Sequence, residues 1–142
     1  MTRAGSPRGS TRLLVDTSAW IETLRKDGDA AVRDLVRQAT LEGRVATCEM
    51  VVLELWNGAR GEQERAVIRE LEDTLERLSI DDGVWAASRA QARDARAAGM
   101  TVPAADILIA ACARRHGAAL VHCDRHFDQL ERLSDSHASD RS

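Results

Sequence analysis

Four carboxylates occupy positions from which chemistry is possible: Asp16, Glu54, Asp106 and Asp124. Asp16 directly follows the apolar run Leu13-Leu14-Val15, and Asp124 comes just after the run Ala118 to His122. Carboxylates so placed stand at the carboxyl ends of buried strands, the edge at which parallel sheets hold their ligands. Glu54 and Asp106 instead interrupt apolar helical faces. Met50, Val51 and Gly58 lie three and four residues from Glu54, and Val102, Ile109 and Ala110 share a side with Asp106. A charge on such a border is unfavourable unless a partner or a cation compensates it.

Each acid also has an ordinary account. Asp16, or Thr17 or Ser18 beside it, serves equally well as the cap of the following helix, and for Asp124 a cap is the slightly simpler reading. Glu54 can reach solvent or an arginine along its own stem. An acid in a first helical turn, as at Asp106, complements the helix dipole. The signal lies in the combination, because a parallel sheet can bring all four to one edge. Like charges about 4 Å apart then repel by roughly 1 to 4 kcal/mol per pair, so the cluster needs protonation or a cation. An all-oxygen site that keeps some waters suits Mg²⁺ or Mn²⁺ rather than zinc.

Competing constellations are weaker. His116, His122 and His126 match no zinc spacing and read as helix-end or surface residues. Neither a GxxxxGK[ST] loop nor a GxGxxG turn occurs, and Ser18 has no obvious base to make it a nucleophile. Trp20, Trp56 and Trp85 fall in helical runs and read as core or interface anchors rather than base-stacking platforms. Arg60, Arg114, Arg115 and Arg125 lie near the acidic blocks, although solvated helix faces account for them more simply.

The elements that must position the acids are legible from periodicity. Thr11 to Val15, Val45 to Thr47, Leu78 to Ile80 and Ala118 to His122 read as short buried strands. Helical spacing runs over Thr17 to Leu24, Ala30 to Leu41, Glu49 to Asn57, Glu62 to Glu76 and Val84 to Ala98. Thr101 reads as the cap, and Pro103 as a first-turn residue, of a helix reaching His116; a last helix spans Arg125 to Leu133. Strands alternating with helices predict an α/β/α sandwich around a short, mostly parallel sheet. Residues 1–10 and 134–142 are polar and read as flexible tails around one domain, 11–133.

Composition narrows the partners. The chain has 142 residues, 44% of them hydrophobic and 30% charged, with a net charge of −3. That suits one soluble domain and excludes a generally basic surface that grips nucleic acid by counterion release alone. Lys26 is the one lysine, every other basic side chain being arginine. Cys48, Cys112 and Cys123 form no CxxC pair and read as small buried hydrophobes in a reducing compartment. With no membrane-length apolar run and no signal-like start, a cytoplasmic protein is expected.

The segments Leu13 to Trp20, Val51 to Gly58, Val102 to Ala111 and His122 to Phe127 together resemble the PIN-domain family, and in particular the VapC-type toxin ribonucleases of bacterial toxin-antitoxin pairs. The resemblance spans about residues 12 to 130 and implies a Mg²⁺-dependent endoribonuclease with Asp16, Glu54, Asp106 and Asp124 as its acidic cluster. Asp16 and Asp106 would be the direct or water-bridged ligands, with Thr17 or Ser18 orienting the first carboxylate. It further implies a homodimer, a cognate antitoxin that blocks the pocket, and a structured substrate of the transfer or ribosomal RNA class. His122 departs from the pattern, which often has a hydroxyl residue there. The rival readings are a catalytically inactive PIN-fold binding or regulatory module and a DNA-directed nuclease.

Overall fold

In the computed structural model, which describes residues 11–140, four parallel strands form a sheet in the order β3-β2-β1-β4. In chain order the elements are β1 (Leu13–Val15), α1 (Thr17–Leu24), α2 (Ala30–Leu41), β2 (Val45–Thr47), α3 (Glu49–Gly58) and α4 (Gly61–Thr74). They continue with β3 (Glu76–Arg77), α5 (Asp82–Ala97), α6 (Ala104–Arg115), β4 (Ala119–Val121) and α7 (Arg125–Asp140). Helices cover the sheet, as the α/β/α expectation requires. Leu13, Leu14 and Val15 are fully buried, which is why β1 reads as an unbroken apolar run.

The chain winds from β1 through β2 to β3, then returns to pair β4 on the other side of β1. Leu13 therefore faces Val45 across one ladder and Ala119 across the other. The strand order reverses at β1, and the crevice beside its carboxyl end is the place such sheets offer a ligand. Gly43 (φ 69°) and Gly117 (φ 64°) follow α2 and α6 in the left-handed conformation that ends a helix, returning the chain to β2 and β4. Cys48 and Cys112 are buried among the core residues, as expected.

Three boundaries differ from the sequence reading. The third strand is Glu76–Arg77, not Leu78 to Ile80; it pairs with Ala46 and Thr47, and its side chains are exposed at the sheet edge. Apolar patterning marks burial, so it located Leu78, which is 1% exposed, rather than the ladder. Thr101 caps nothing: α6 starts at Ala104 with Pro103 in the cap position and no side-chain cap bond. Proline holds the residue before it in an extended conformation, so the helix cannot begin earlier. Finally, α7 continues to Asp140 instead of yielding to a tail after 133. Phe127, Leu130 and Leu133 anchor its first turns in the core, and extending an established helix is far easier than nucleating one. The expected tail at 1–10 lies outside the described residues.

Candidate active site

Asp16 leaves β1 at the reversal point and is only 3% exposed. Its Oδ2 accepts the backbone N–H of Ser18 at 2.9 Å and the Ser18 hydroxyl at 2.6 Å, so it does cap α1. The Ser18 oxygen in turn accepts the backbone N–H of Cys123 at 2.9 Å, tying the end of β1 to the end of β4. Asp16 Oδ1 is buried with no hydrogen-bond partner among the described residues. Burial pushes this carboxyl above its ordinary pKa, against the Ser18 and Thr17 bonds, and the Glu54 charge raises it further.

The other three acids gather around it. Glu54 is carried by α3, and its Oε1 accepts the Thr17 hydroxyl at 2.7 Å. Asp106, in the first turn of α6, is 9% exposed. Its carboxyl is pushed up to about 6, first by burial, then by the charges of Asp16 and Asp124, with His126 partly offsetting them. Asp124 Oδ1 accepts the backbone N–H of His126 at 2.9 Å at the start of α7. Asp16 thus lies within electrostatic reach of Glu54 and Asp106, and Asp106 of Asp124, while among the described residues Asp106 and Asp124 are the acids whose ligand atoms come close enough to share one ion.

His126 completes the group, and the sequence reading set it aside as a helix-end residue. Its Nδ1 lies 3.0 Å from Asp106 Oδ2, 20 residues away in sequence, and 3.0 Å from Asp124 Oδ1. An ionised carboxylate only accepts, so a hydrogen bond from Nδ1 to ionised Asp106 requires the tautomer with its proton on Nδ1. Ligand atoms of Asp106, Asp124 and His126 all fall within 4.8 Å of one another. Adjacency to Asp124 was the available signal, but a histidine beside an acid is uninformative until the fold shows a second acid above the same nitrogen.

The remaining candidates lie elsewhere. His122 is 1% exposed, its ring 5.0 Å from that of Phe127, and burial lowers its pKa, so it is a core residue. His116 Nε2 meets the Ser79 carbonyl at 2.8 Å. Arg114 and Arg115 stand at the far end of α6 from Asp106, and Arg60 at the N-cap of α4; Arg125 alone adjoins the cluster in sequence. Trp20 is in the core, whereas Trp85 is 48% exposed and anchors nothing there.

Several clustered carboxylates, one with a buried oxygen lacking a partner, fit a hard divalent cation. Mg²⁺ or Mn²⁺ suits oxygen donors that leave room for water, and a lone imidazole at the rim does not make the set zinc-like.

A PIN-domain family profile matches residues 13–133. The chain is 38% identical over 130 residues to the VapC ribonuclease Mb1587 of Mycobacterium bovis and, to the same extent, to ribonuclease VapC11 of Mycobacterium tuberculosis, covering 89% of this chain and 97% of each relative. The fold is shared with VapBC-1 of nontypeable Haemophilus influenzae (TM-score 0.67, 18% identity, 88% of this chain and 94% of that one). It is also shared with FitAcB of Neisseria gonorrhoeae (TM-score 0.66, 23% identity, 84% and 93%). With that extent of matching sequence, the chain belongs to the PIN-domain family, and its curated relatives are named VapC ribonucleases.

Proposed function

We propose that this protein is a Mg²⁺-dependent endoribonuclease, with Mn²⁺ as a substitute, that hydrolyses structured RNA of the transfer or ribosomal class. The observation carrying the reading is the buried Oδ1 of Asp16, without a partner among the described residues, beside the Asp106 whose pKa it raises. Asp16 and Asp106 would hold the cation, whose Lewis acidity would ease deprotonation of a bound water and offset charge on the phosphate. Ser18 fixes the Asp16 carboxylate with two hydrogen bonds, and Thr17 fixes Glu54 with one. Glu54 and Asp124 accept hydrogen bonds from water and orient it. His126 holds the Asp106 carboxylate through its ring Nδ1 and Asp124 through its backbone N–H.

Solved relatives named as VapBC complexes support a protein antitoxin as partner. A groove lined by Ile21, Leu24, Leu55 and Ile68 runs into Thr17 and Glu54, offering an apolar segment a seat from which it blocks the acids. The protein acts in the cytoplasm as a homodimer in this reading; no helix among the described residues is long and apolar enough to cross a membrane.

The test is incubation of total cellular RNA with purified, antitoxin-free protein in Mg²⁺ and in EDTA, beside Asp106→Ala. Discrete products requiring both Mg²⁺ and Asp106 are expected. Equal cleavage in EDTA, or by the variant, would sink the metal mechanism, and absence of cleavage in every lane would favour an inactive regulatory module. Mg²⁺ should also raise the melting temperature of the wild type more than that of Asp106→Ala, by mass action on the folded state.

A further inference from the structure

Helix α5 carries Trp85, Arg89, Arg93 and Arg96 at spacings of four, four and three residues, and all four are exposed. At 3.6 residues per turn these side chains fall within a sector of about 80°. Ala86, Ala90 and Ala97 flank them, and the one acid on this face, Asp82, sits at the opposite end from Arg96. Among the described residues none of the three arginines has an ion pair or a side-chain hydrogen bond, whereas Arg37, Arg65, Arg69 and Arg77 are each paired with a carboxylate. In a chain of net charge −3 this is a concentrated positive stripe.

The stripe ends level with the turn of α6 that carries Asp106. A Cβ at Gly83 would stand 2.3 Å from Nη2 of Arg115, so the start of α5 lies against the end of α6. Arg114 Nη2 donates to Oε1 of Gln91 at 3.2 Å, midway along α5. The two helices therefore run antiparallel, and the end of α5 bearing Arg93 and Arg96 lies beside the end of α6 bearing Asp106. From Trp85 to Arg96 the helix rises about 16 Å.

We infer that this face of α5 is a docking track for the sugar-phosphate backbone of the RNA substrate, leading to the acidic site, with Trp85 as a stacking surface for a base at its far end. The inference rests on the ribonuclease reading. An acidic pocket repels RNA, so affinity has to come from cations outside it, and guanidinium groups suit phosphate oxygens. Exposed tryptophan beside arginines is the combination that holds nucleic acid irrespective of sequence. A second copy of this chain is a poor occupant, because a two-fold contact through the stripe would set arginines against arginines.

The test compares Asp106→Asn with the same protein carrying Arg89→Ala, Arg93→Ala and Arg96→Ala, by fluorescence anisotropy on labelled unfractionated transfer RNA over a series of salt concentrations. Alanine favours exposed helix, so melting curves should show both proteins folded. The triple change should weaken binding about tenfold or more and make the slope of log K against log salt shallower by roughly 2 to 3. The corresponding arginine-to-lysine changes should keep most of that slope. In an otherwise wild-type chain, the triple change should raise KM for transfer RNA but leave unaltered the cleavage of a trinucleotide too short to reach α5. Unchanged affinity and slope would overturn the docking track, as would loss of antitoxin binding with RNA binding intact, which would make the stripe a protein interface. Cleavage of RNA by the wild type with the stripe proven irrelevant leaves the ribonuclease reading standing. Stripe-dependent binding without any cleavage leaves the track standing and removes the nuclease.

Discussion

Asp16 and Asp81 have the same residue type and the same local role, yet they sit in regions with opposite electrostatics. Asp81 caps α5 by accepting the Val84 N–H at 2.9 Å, as Asp29 caps α2 through Val32 at 3.1 Å, and both lie exposed to water. Asp16 caps α1 at a matching 2.9 Å but is buried, with a second oxygen unpartnered and Glu54 and Asp106 close enough to alter ionisation. The cap and the chemistry are therefore not alternatives at Asp16. The cap fixes one oxygen and leaves the other buried without a partner among the described residues, whereas at Asp81 water serves the spare oxygen at no cost. A helix cap becomes a functional group when the fold withdraws it from water beside like charges.

That contrast is broken most readily by removing charge at each place. Asp16→Asn and Asp106→Asn should lower RNA cleavage by more than about 100-fold, beyond what changes outside the ligand set achieve. In metal-free buffer the same changes should stabilise the fold by about 1 kcal/mol, since they relieve like-charge repulsion. A variant that cleaves at the wild-type rate, or loses stability without metal, would contradict the cluster. Thr17→Val, which deletes the hydroxyl held by Glu54, should reduce kcat by about tenfold with little change in melting temperature. An undiminished kcat would show that Glu54 needs no such support.

The pH dependence of stability sharpens the contrast further. Asp106 has its pKa raised from 3.8 to about 6, so between those values the folded state binds the proton and the unfolded state does not. Its contribution to stability is full below the lower value and is lost as pH rises through about 6. Denaturant titrations without metal should show wild type losing stability over that window relative to Asp106→Asn. Parallel curves would refute a raised pKa. The smallest effect is expected at Asp81→Ala, which should cost about 1 kcal/mol as a lost cap and leave cleavage unchanged.

Much of this was legible in the sequence for specific reasons. The runs at Leu13 to Val15 and Val45 to Thr47 read correctly as strands because all six residues are buried, and burial is what apolar patterning reports. The third strand escaped because Glu76 and Arg77 pair at an edge with exposed side chains. Of the core and interface readings of Trp85, the structure removes the core one, because helical periodicity locates a residue on a face without saying whether anything covers that face. His126 was passed over because the acid that defines its role, Asp106, comes from a different helix.

By itself the sequence determined the alternation of strands and helices and supplied four acids at strand ends and helix borders, because backbone propensity and apolar period are set by neighbours along the chain. Only the tertiary structure decided that Asp16 keeps a buried oxygen without a partner among the described residues, that His126 lies between Asp106 and Asp124, and that the start of α5 packs against the end of α6. Burial and charge coupling depend on groups brought together across the reversal at β1, and no local window of sequence contains both sides of that crevice.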